Sequence, residues 1–243
     1  MIELSDVQAA AARIEPHIHR TPVLSSRTLN AALGREVLFK GEHLQKAGSF
    51  KVRGALNAAL QLPPGTPGLV ALSSGNHAQG VAFACRHFGS RGTIFMPVTT
   101  PQQKIDKTRA FGGDFVEIEL VGDIFDVCNQ AALDYADAND AIMVPPFDHP
   151  DIIEGQATVA LEIVEQLPAG ATLDRLHVAV GGGGLASGIA LAIPETAIVT
   201  VEPEGTSRRP RRRRASDATA RPPTAACSRS MASAWTTRTT PSG

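Results

Sequence analysis

Between about residues 33 and 205, short apolar runs rich in β-branched residues alternate with stretches whose apolar positions recur at helical spacing. That alternation predicts βαβ units feeding a mostly parallel sheet, and so an α/β fold. Residues 69–74 read as a buried strand, 75–80 as a turn, and 81–88 as a helix stopped by Gly89. The next unit predicts a strand over 92–97, a helix over 102–111 capped by Gly112-Gly113, and a strand over 114–119. Beyond it come a helix over 124–138, a short strand over 141–144 closed by two prolines, and a helix over 155–167. A strand over 176–180, a glycine run, a helix to Ile193 and a strand over 197–201 complete the pattern.

The pattern stops at Thr206. The 38 residues that follow contain no Leu, Ile, Val, Phe or Tyr, and are built mainly from Arg, Thr, Ala, Ser and Pro. Such a segment cannot bury enough apolar surface to offset its ordering entropy, so disorder is expected over 206–243. The same break splits the charge. The formal net charge of the 243 residues is -1, but residues 1–205 hold 14 Lys+Arg against 23 Asp+Glu, and the tail holds 9 Arg against Asp217 alone.

No run approaches the roughly 18–20 apolar residues of a membrane span, and the start MIELSDVQAAAARIEP lacks the basic and apolar regions of a secretory signal. A cytoplasmic protein with no membrane partner is the expectation. Cys85, Cys128 and Cys227 form no CxxC pair and no disulfide framework, and read as small buried hydrophobes.

Three segments carry candidate chemistry. Lys51, after Phe50 in a run of small residues, is either a desolvated amine poised for an aldehyde or a solvated lysine at a helix start, and spacing alone favours the latter. Ser73-Ser74-Gly75-Asn76-His77 follows a predicted strand and opens a helix, where N–H groups suit a carboxylate or phosphate; the same residues also serve as caps and turn formers. His77 taken alone reads as a structural hydrogen-bonding residue. Gly181-Gly182-Gly183-Gly184-Leu185 lies between a strand and a helix and reads as a phosphate cradle. Its glycine spacing, with Glu202 at the end of the next strand, also fits a dinucleotide fingerprint, so an NAD-linked enzyme stays open on these residues alone.

SFKVRGA (49–55), SSGNHAQG (73–80) and GGGGL (181–185) occur in that order. RTPVLSS (20–26) precedes them, and GQATVALEI (155–163) stands between the last two. Together these motifs resemble the pyridoxal-phosphate enzymes of the threonine dehydratase and serine racemase group, which are tryptophan synthase beta-like and of fold type II. The resemblance runs from about residue 5 to 205. It implies two α/β domains with pyridoxal 5'-phosphate between them: a small domain over 69–150, and a large one from 1–68 and 151–205.

By the same resemblance Lys51 holds the cofactor as a Schiff base and removes the substrate α-proton. Phe50 packs near the ring, Asn76 meets the phenolic oxygen, and Gly181, Gly182, Gly183, Gly184 and Leu185 cradle the phosphate. Ser73, Ser74, Gly75, Asn76 and His77 grip the substrate carboxylate, and Ser74 is the position that exchanges a proton in racemases. The implied reaction is β-elimination of water from L-threonine or L-serine to a 2-oxo acid and ammonia. An amino-acid racemase and an inactive fragment of such an enzyme are the alternatives.

The implied partner is an amino-acid substrate, within a homo-oligomer. No metal is expected, because Glu202 matches a first cation ligand but the later carboxylate position is Arg208. Relatives continue past 205 with a Ser-Gly-Gly-Asn-like motif that the tail does not match, so the large domain is expected to be incomplete. The arginines over 208–214 read either as a nucleic-acid-binding arm or as the product of a shifted reading frame. The abruptness of the change favours the shifted frame, and nucleic acid is not an expected partner.

Overall fold

The computed structural model describes residues 1–203. The expected disorder of 206–243, the basic run at 208–214, Arg208 and Cys227 lie outside the described residues. The described residues form two compact units, one made of 1–61 and 147–203, the other of Leu62–Pro146. The crossings fall a little before the boundaries at 68 and 150 read from the sequence.

In the first unit, helix α1 (Leu4–Ile14) is followed by an antiparallel pair, β1 (Val23–Ser25) and β2 (Leu38–Lys40), joined through α2 (Arg27–Leu33). Helix α3 (Lys51–Leu60) comes next. The second unit then builds a four-stranded sheet from β3 (Leu69–Leu72), β4 (Gly92–Met96), β5 (Val116–Leu120) and β6 (Ile142–Met143), with α4 (Asn76–Phe88), α5 (Gln102–Gly112) and α6 (Phe125–Ala138) between them. The first unit resumes with α7 (Pro150–Glu165), β7 (Arg175–Ala179), α8 (Gly184–Ala192) and β8 (Ala197–Val201).

The second unit's sheet has the order β5-β4-β3-β6 and every pair is parallel. All residues of β3 and β4 are buried, which is why these two strands read as continuous apolar runs. Val70, Leu72 and Phe95 pack with Cys128, Ala132 and Ala136 of α6 on one face. On the other face Gly92 leaves room for the Cys85 sulfur of α4. Cys85 and Cys128 are buried free thiols, and burial pushes Cys85 up to about 12.

The first unit packs α1, α7 and α8 around Val178 of β7, with Val7, Ala157, Ala160, Ile189 and Ala192 at the centre. Strands β7 and β8 pair in parallel. Helices α3 and α7 meet at two glycines: a Cβ on Gly155 would stand 2.6 Å from the Gly54 Cα and 2.8 Å from the Arg53 carbonyl oxygen. The GQATVALEI motif therefore opens on a residue selected by backbone approach.

Two helices begin earlier than the sequence pattern suggests. The segment 75–80 is not a turn, because α4 starts at Asn76 and carries Gln79 and Gly80 inside it, both buried. Helix α7 starts at Pro150 rather than at 155, with proline in its first turn and the His149 side chain accepting from the Asp151 N–H. The strand read over 114–119 starts at Val116, since Gly113–Phe115 forms a 3-10 turn. Among the described residues no helix is long and apolar enough to cross a membrane.

Gly155→Ala has to push the backbone of α3 away from α7. We expect a loss of stability of about 1–3 kcal/mol, the usual range for overpacking, measured as a lower urea midpoint with an unchanged slope.

Candidate active site

Lys51 is the first residue of α3, and its neighbours decide its chemistry. Val52 to Ala58 are all buried, so the helix is enclosed along nearly its whole length. The amine emerges at its N-terminal end, 5.5 Å from the centre of the Phe50 ring. Burial lowers the Lys51 pKa to about 8, because a desolvated ammonium is the disfavoured form.

Phe50 and Lys51 line a cavity of about 170 Å³ with Phe147, Ala179, Gly181–Gly184, Leu185 and Ala186. The other wall is the turn from β7 into α8. Gly183 is the N-cap of α8 at φ +93°, a left-handed conformation that suits glycine, and a Cβ on Gly182 would enter the Phe147 ring. The Ser187 N–H bonds the Gly183 carbonyl. The N–H groups of Gly184, Leu185 and Ala186 thus have no acceptor within the helix. The N-terminus of α8 and an amine of lowered pKa thus line one cavity.

In the second unit, Ser73 to His77 occupy the carboxyl end of β3 and the first turn of α4, where open parallel sheets bind ligands. The Asn76 side chain is exposed, and Ser73, Ser74 and Gly75 are half-buried. Ser73 Oγ accepts from the Gly75 N–H at 3.2 Å and shapes the loop. His77 is buried, with Nε2 2.8 Å from the Val144 carbonyl oxygen. A carbonyl only accepts, so Nε2 carries the proton and ties α4 to the end of β6. A larger cavity of about 360 Å³ lies at the other, amino end of this sheet, lined by Leu69, Gly92, Thr93 and Tyr135 among others.

Sequence reasoning missed a polar cluster behind Lys51. Arg53 has a fully buried side chain, and its Nε and an Nη bond the two Glu42 oxygens at 2.8 and 2.7 Å. The other Nη bonds Glu162 Oε1 at 2.7 Å and Thr158 Oγ1 at 3.2 Å. Lys40 Nζ adds Glu162 Oε2 at 2.5 Å, Gln166 Oε1 at 2.8 Å and the Thr21 carbonyl at 2.7 Å. Thr21 Oγ1 closes the ring onto Glu42 at 2.6 Å.

Burial acts on every charge in this ring. For Arg53 it is outweighed by the hydrogen bonds to Glu42 and Glu162, which leave the guanidinium above its usual value. Glu162, also pushed upward by burial, is held below the ordinary carboxylate range by its hydrogen bonds to Arg53 and Lys40. Lys40 is lowered, since burial outweighs its one carboxylate partner and Arg53 repels it. Glu162 serves two cations and Lys40 one anion, which reconciles the two directions.

Residues 14–242 match the family model of the pyridoxal-phosphate dependent enzymes. The chain belongs to that family. It is 43% identical over 212 residues to the biosynthetic L-threonine dehydratase of Corynebacterium glutamicum, covering 84% of this chain and 49% of that protein. Identity to the L-threonine ammonia-lyase of Thermotoga maritima is 43% over 210 residues, covering 84% and 51%. Among solved structures, maize serine racemase superposes with a TM-score of 0.79 at 36% identity, over 84% of this chain and 62% of that one. The threonine deaminase of T.th. gives 0.78 at 42% identity, over 84% and 66%.

The chain thus spans about half the length of the dehydratase relatives it matches. The cofactor of this family is pyridoxal phosphate and not a dinucleotide. The residues present fit the family's cofactor, with an amine of lowered pKa for an aldehyde and a glycine turn with free N–H groups for a phosphate, on one cavity.

The lowered pKa has a pH signature in the free protein. Cyanate carbamylates only neutral amines, so the rate of Lys51 modification is expected to rise with pH through a midpoint of about 8, not 10.5, read by peptide mass spectrometry. The folded value lies below the unfolded one. Protonated Lys51 therefore weakens the fold below about pH 8, and that penalty is relieved as pH rises from about 8 to 10.5.

Proposed function

We propose that this chain holds pyridoxal phosphate on Lys51 and eliminates water from L-threonine or L-serine, giving a 2-oxo acid and ammonia. The observation that carries the reading is the Lys51 amine, its pKa lowered by burial to about 8, on a cavity also lined by the Gly181–Gly184 turn. The named activities of the dehydratase relatives support it. Bound there, pyridoxal phosphate supplies the electron sink that makes the substrate's α-proton removable.

The chain's own residues divide the remaining work. Lys51 Nζ, largely neutral above about pH 8, would hold the aldehyde of the cofactor and would be the base for the α-proton. Phe50 shields the amine from water on one side. The N–H groups of Gly181 to Leu185 would hold the phosphate at the N-terminus of α8. In the second unit, the exposed Asn76 side chain would be available to hydrogen-bond the cofactor. The first-turn N–H groups of α4 and the Ser73 and Ser74 hydroxyls orient the substrate carboxylate. His77 contributes by fixing the start of α4 through Val144. We include a homo-oligomer in this reading, which sedimentation of the purified chain tests.

A second reading, an amino-acid racemase, is favoured by the likeness to maize serine racemase. In it Ser74 Oγ returns a proton to the opposite face of the substrate. The ratio of D-serine to pyruvate formed from L-serine separates the two.

Titration with pyridoxal phosphate is expected to give a visible absorbance band that borohydride bleaches, and L-threonine is expected to yield a 2-oxo acid. Lys51→Ala is expected to abolish both while leaving the melting transition in place. Undiminished capture of the cofactor by Lys51→Ala would overturn the reading.

A further inference from the structure

We propose that Arg53 is a positioning residue, whose buried guanidinium fixes the rotation of α3 about its own axis so that Lys51 faces the glycine-lined cavity. The proposal rests on Lys51 being the attachment amine. Two residues of an α-helix are about 200° apart around the axis, so Lys51 and Arg53 leave α3 on nearly opposite sides. On the Lys51 side lies the cavity. On the Arg53 side the guanidinium makes four hydrogen bonds, two to Glu42, one to Glu162 and one to Thr158. Glu42 lies just after β2, while Thr158 and Glu162 lie on α7, so the fork is gripped by two separate elements of the first unit.

The rest of the α3 surface is also buried, but its contacts are mainly apolar and carry little directional preference. Its buried residues beyond Arg53 are Val52, Gly54, Ala55, Leu56, Asn57 and Ala58, mostly small and apolar, and toward α7 Gly54 lies against Gly155, the Gln156 side chain and the Ile152 carbonyl. Close approach at Gly54 and Gly155 sets the distance between the helices, whereas a hydrogen-bonded fork also sets the direction in which a side chain must leave the axis. A planar guanidinium held bidentate by one carboxylate and by a second carboxylate at its other edge accepts one orientation only. Asn57, one turn further on, adds a weaker tie through Nδ2 to the Asp151 carbonyl at 2.7 Å, and its Oδ1 receives Arg13. Arg53 and Asn57 thus lie on one side of α3, four residues apart, and hold the side opposite the amine.

The test uses the full chain without added cofactor, so that its outcome is independent of whether Lys51 binds pyridoxal phosphate. Two variants are made, Arg53→Lys, which keeps the charge and loses the fork, and Glu42→Gln, which keeps the shape and weakens the bidentate grip. Each is melted, and the pH profile of Lys51 carbamylation by cyanate is measured. The expected result is a cooperative melt in at least one variant, with the Lys51 midpoint moved from about 8 toward 10.5. Each unit of that rise removes about nine-tenths of the neutral amine present at pH 7.

A folded variant whose midpoint stays at about 8 overturns the proposal. Loss of the cooperative melt in both variants does so too, because Arg53 then serves the fold and not the direction of Lys51. Arg109→Gln, at an exposed pair with Asp106, serves as the control and is expected to leave the profile unmoved. The parent reading has its own readout, since capture of pyridoxal phosphate by Lys51→Ala bears on that reading and not on the carbamylation midpoint.

Discussion

A fully buried arginine imposes the strictest condition on the first unit. Taking a guanidinium out of water costs several kcal/mol even after relaxation, and the cost is recovered only when its donors are met by charged acceptors in good geometry. Glu42 and Glu162 meet that demand, but two carboxylates on one guanidinium leave an excess negative charge, and Lys40 balances it. Each of these four residues makes sense only with the other three present. Such a cluster is weak evidence for net stability, since a well-packed apolar replacement is often as stable; removing one partner alone is the costly change, about 3–5 kcal/mol. What the cluster does supply is specificity of arrangement, because it accepts one register of α3 against α7 and against the segment after β2.

This cluster explains why separate sequence motifs accompany one another. Thr21 belongs to RTPVLSS, Arg53 to SFKVRGA, and Thr158 and Glu162 to GQATVALEI, and these residues form one hydrogen-bonded ring. Motif order along the chain suggested a family but not the reason for the motifs. Glu162 sits in an apolar helical pattern where an acid reads as a surface residue, and Lys40 is a lysine in a short strand of three residues. Periodicity assigns a face to each residue within its own element. It cannot say that acids and bases from distant elements meet in the interior, since that depends on tertiary packing.

The same limit explains what was legible in the fold. Strands β3 and β4 were readable because both faces are buried, so composition alone marks them, and several helix ends carried glycine or proline signals. The starts of α4 and α7 were not. Gly75 to Gly80 has poor helix propensity, yet burial of His77, Gln79 and Gly80 against the sheet outweighs it. Between α1 and Lys51 the elements are short, with α2 at seven residues and β1 and β2 at three each, too short for a period to emerge. At the site, Lys51 and the glycine run were visible as residue types. Phe147 was not, although a Cβ on Gly182 would collide with its ring, because nothing in an isolated phenylalanine signals which glycine it will cover.

The electrostatics of the cavity follow from two helix ends. Lys51 opens α3 and Gly184 opens α8, and the N-terminus of a helix carries a partial positive charge. Both ends disfavour an ammonium and favour an anion, and burial of Lys51 acts in the same direction. A solvated lysine offers its amine almost wholly protonated at neutral pH, whereas here roughly one-tenth is neutral at pH 7. The arrangement suits a ligand that brings an anion and an electrophile together: the anion meets the α8 N–H groups, and the electrophile meets an amine already able to attack. An anion seated on α8 would in turn favour the protonated amine, so an anionic ligand would raise the basicity of Lys51. The buried cations of the Arg53 cluster do not oppose this, because their charge is cancelled by Glu42 and Glu162 within the cluster itself.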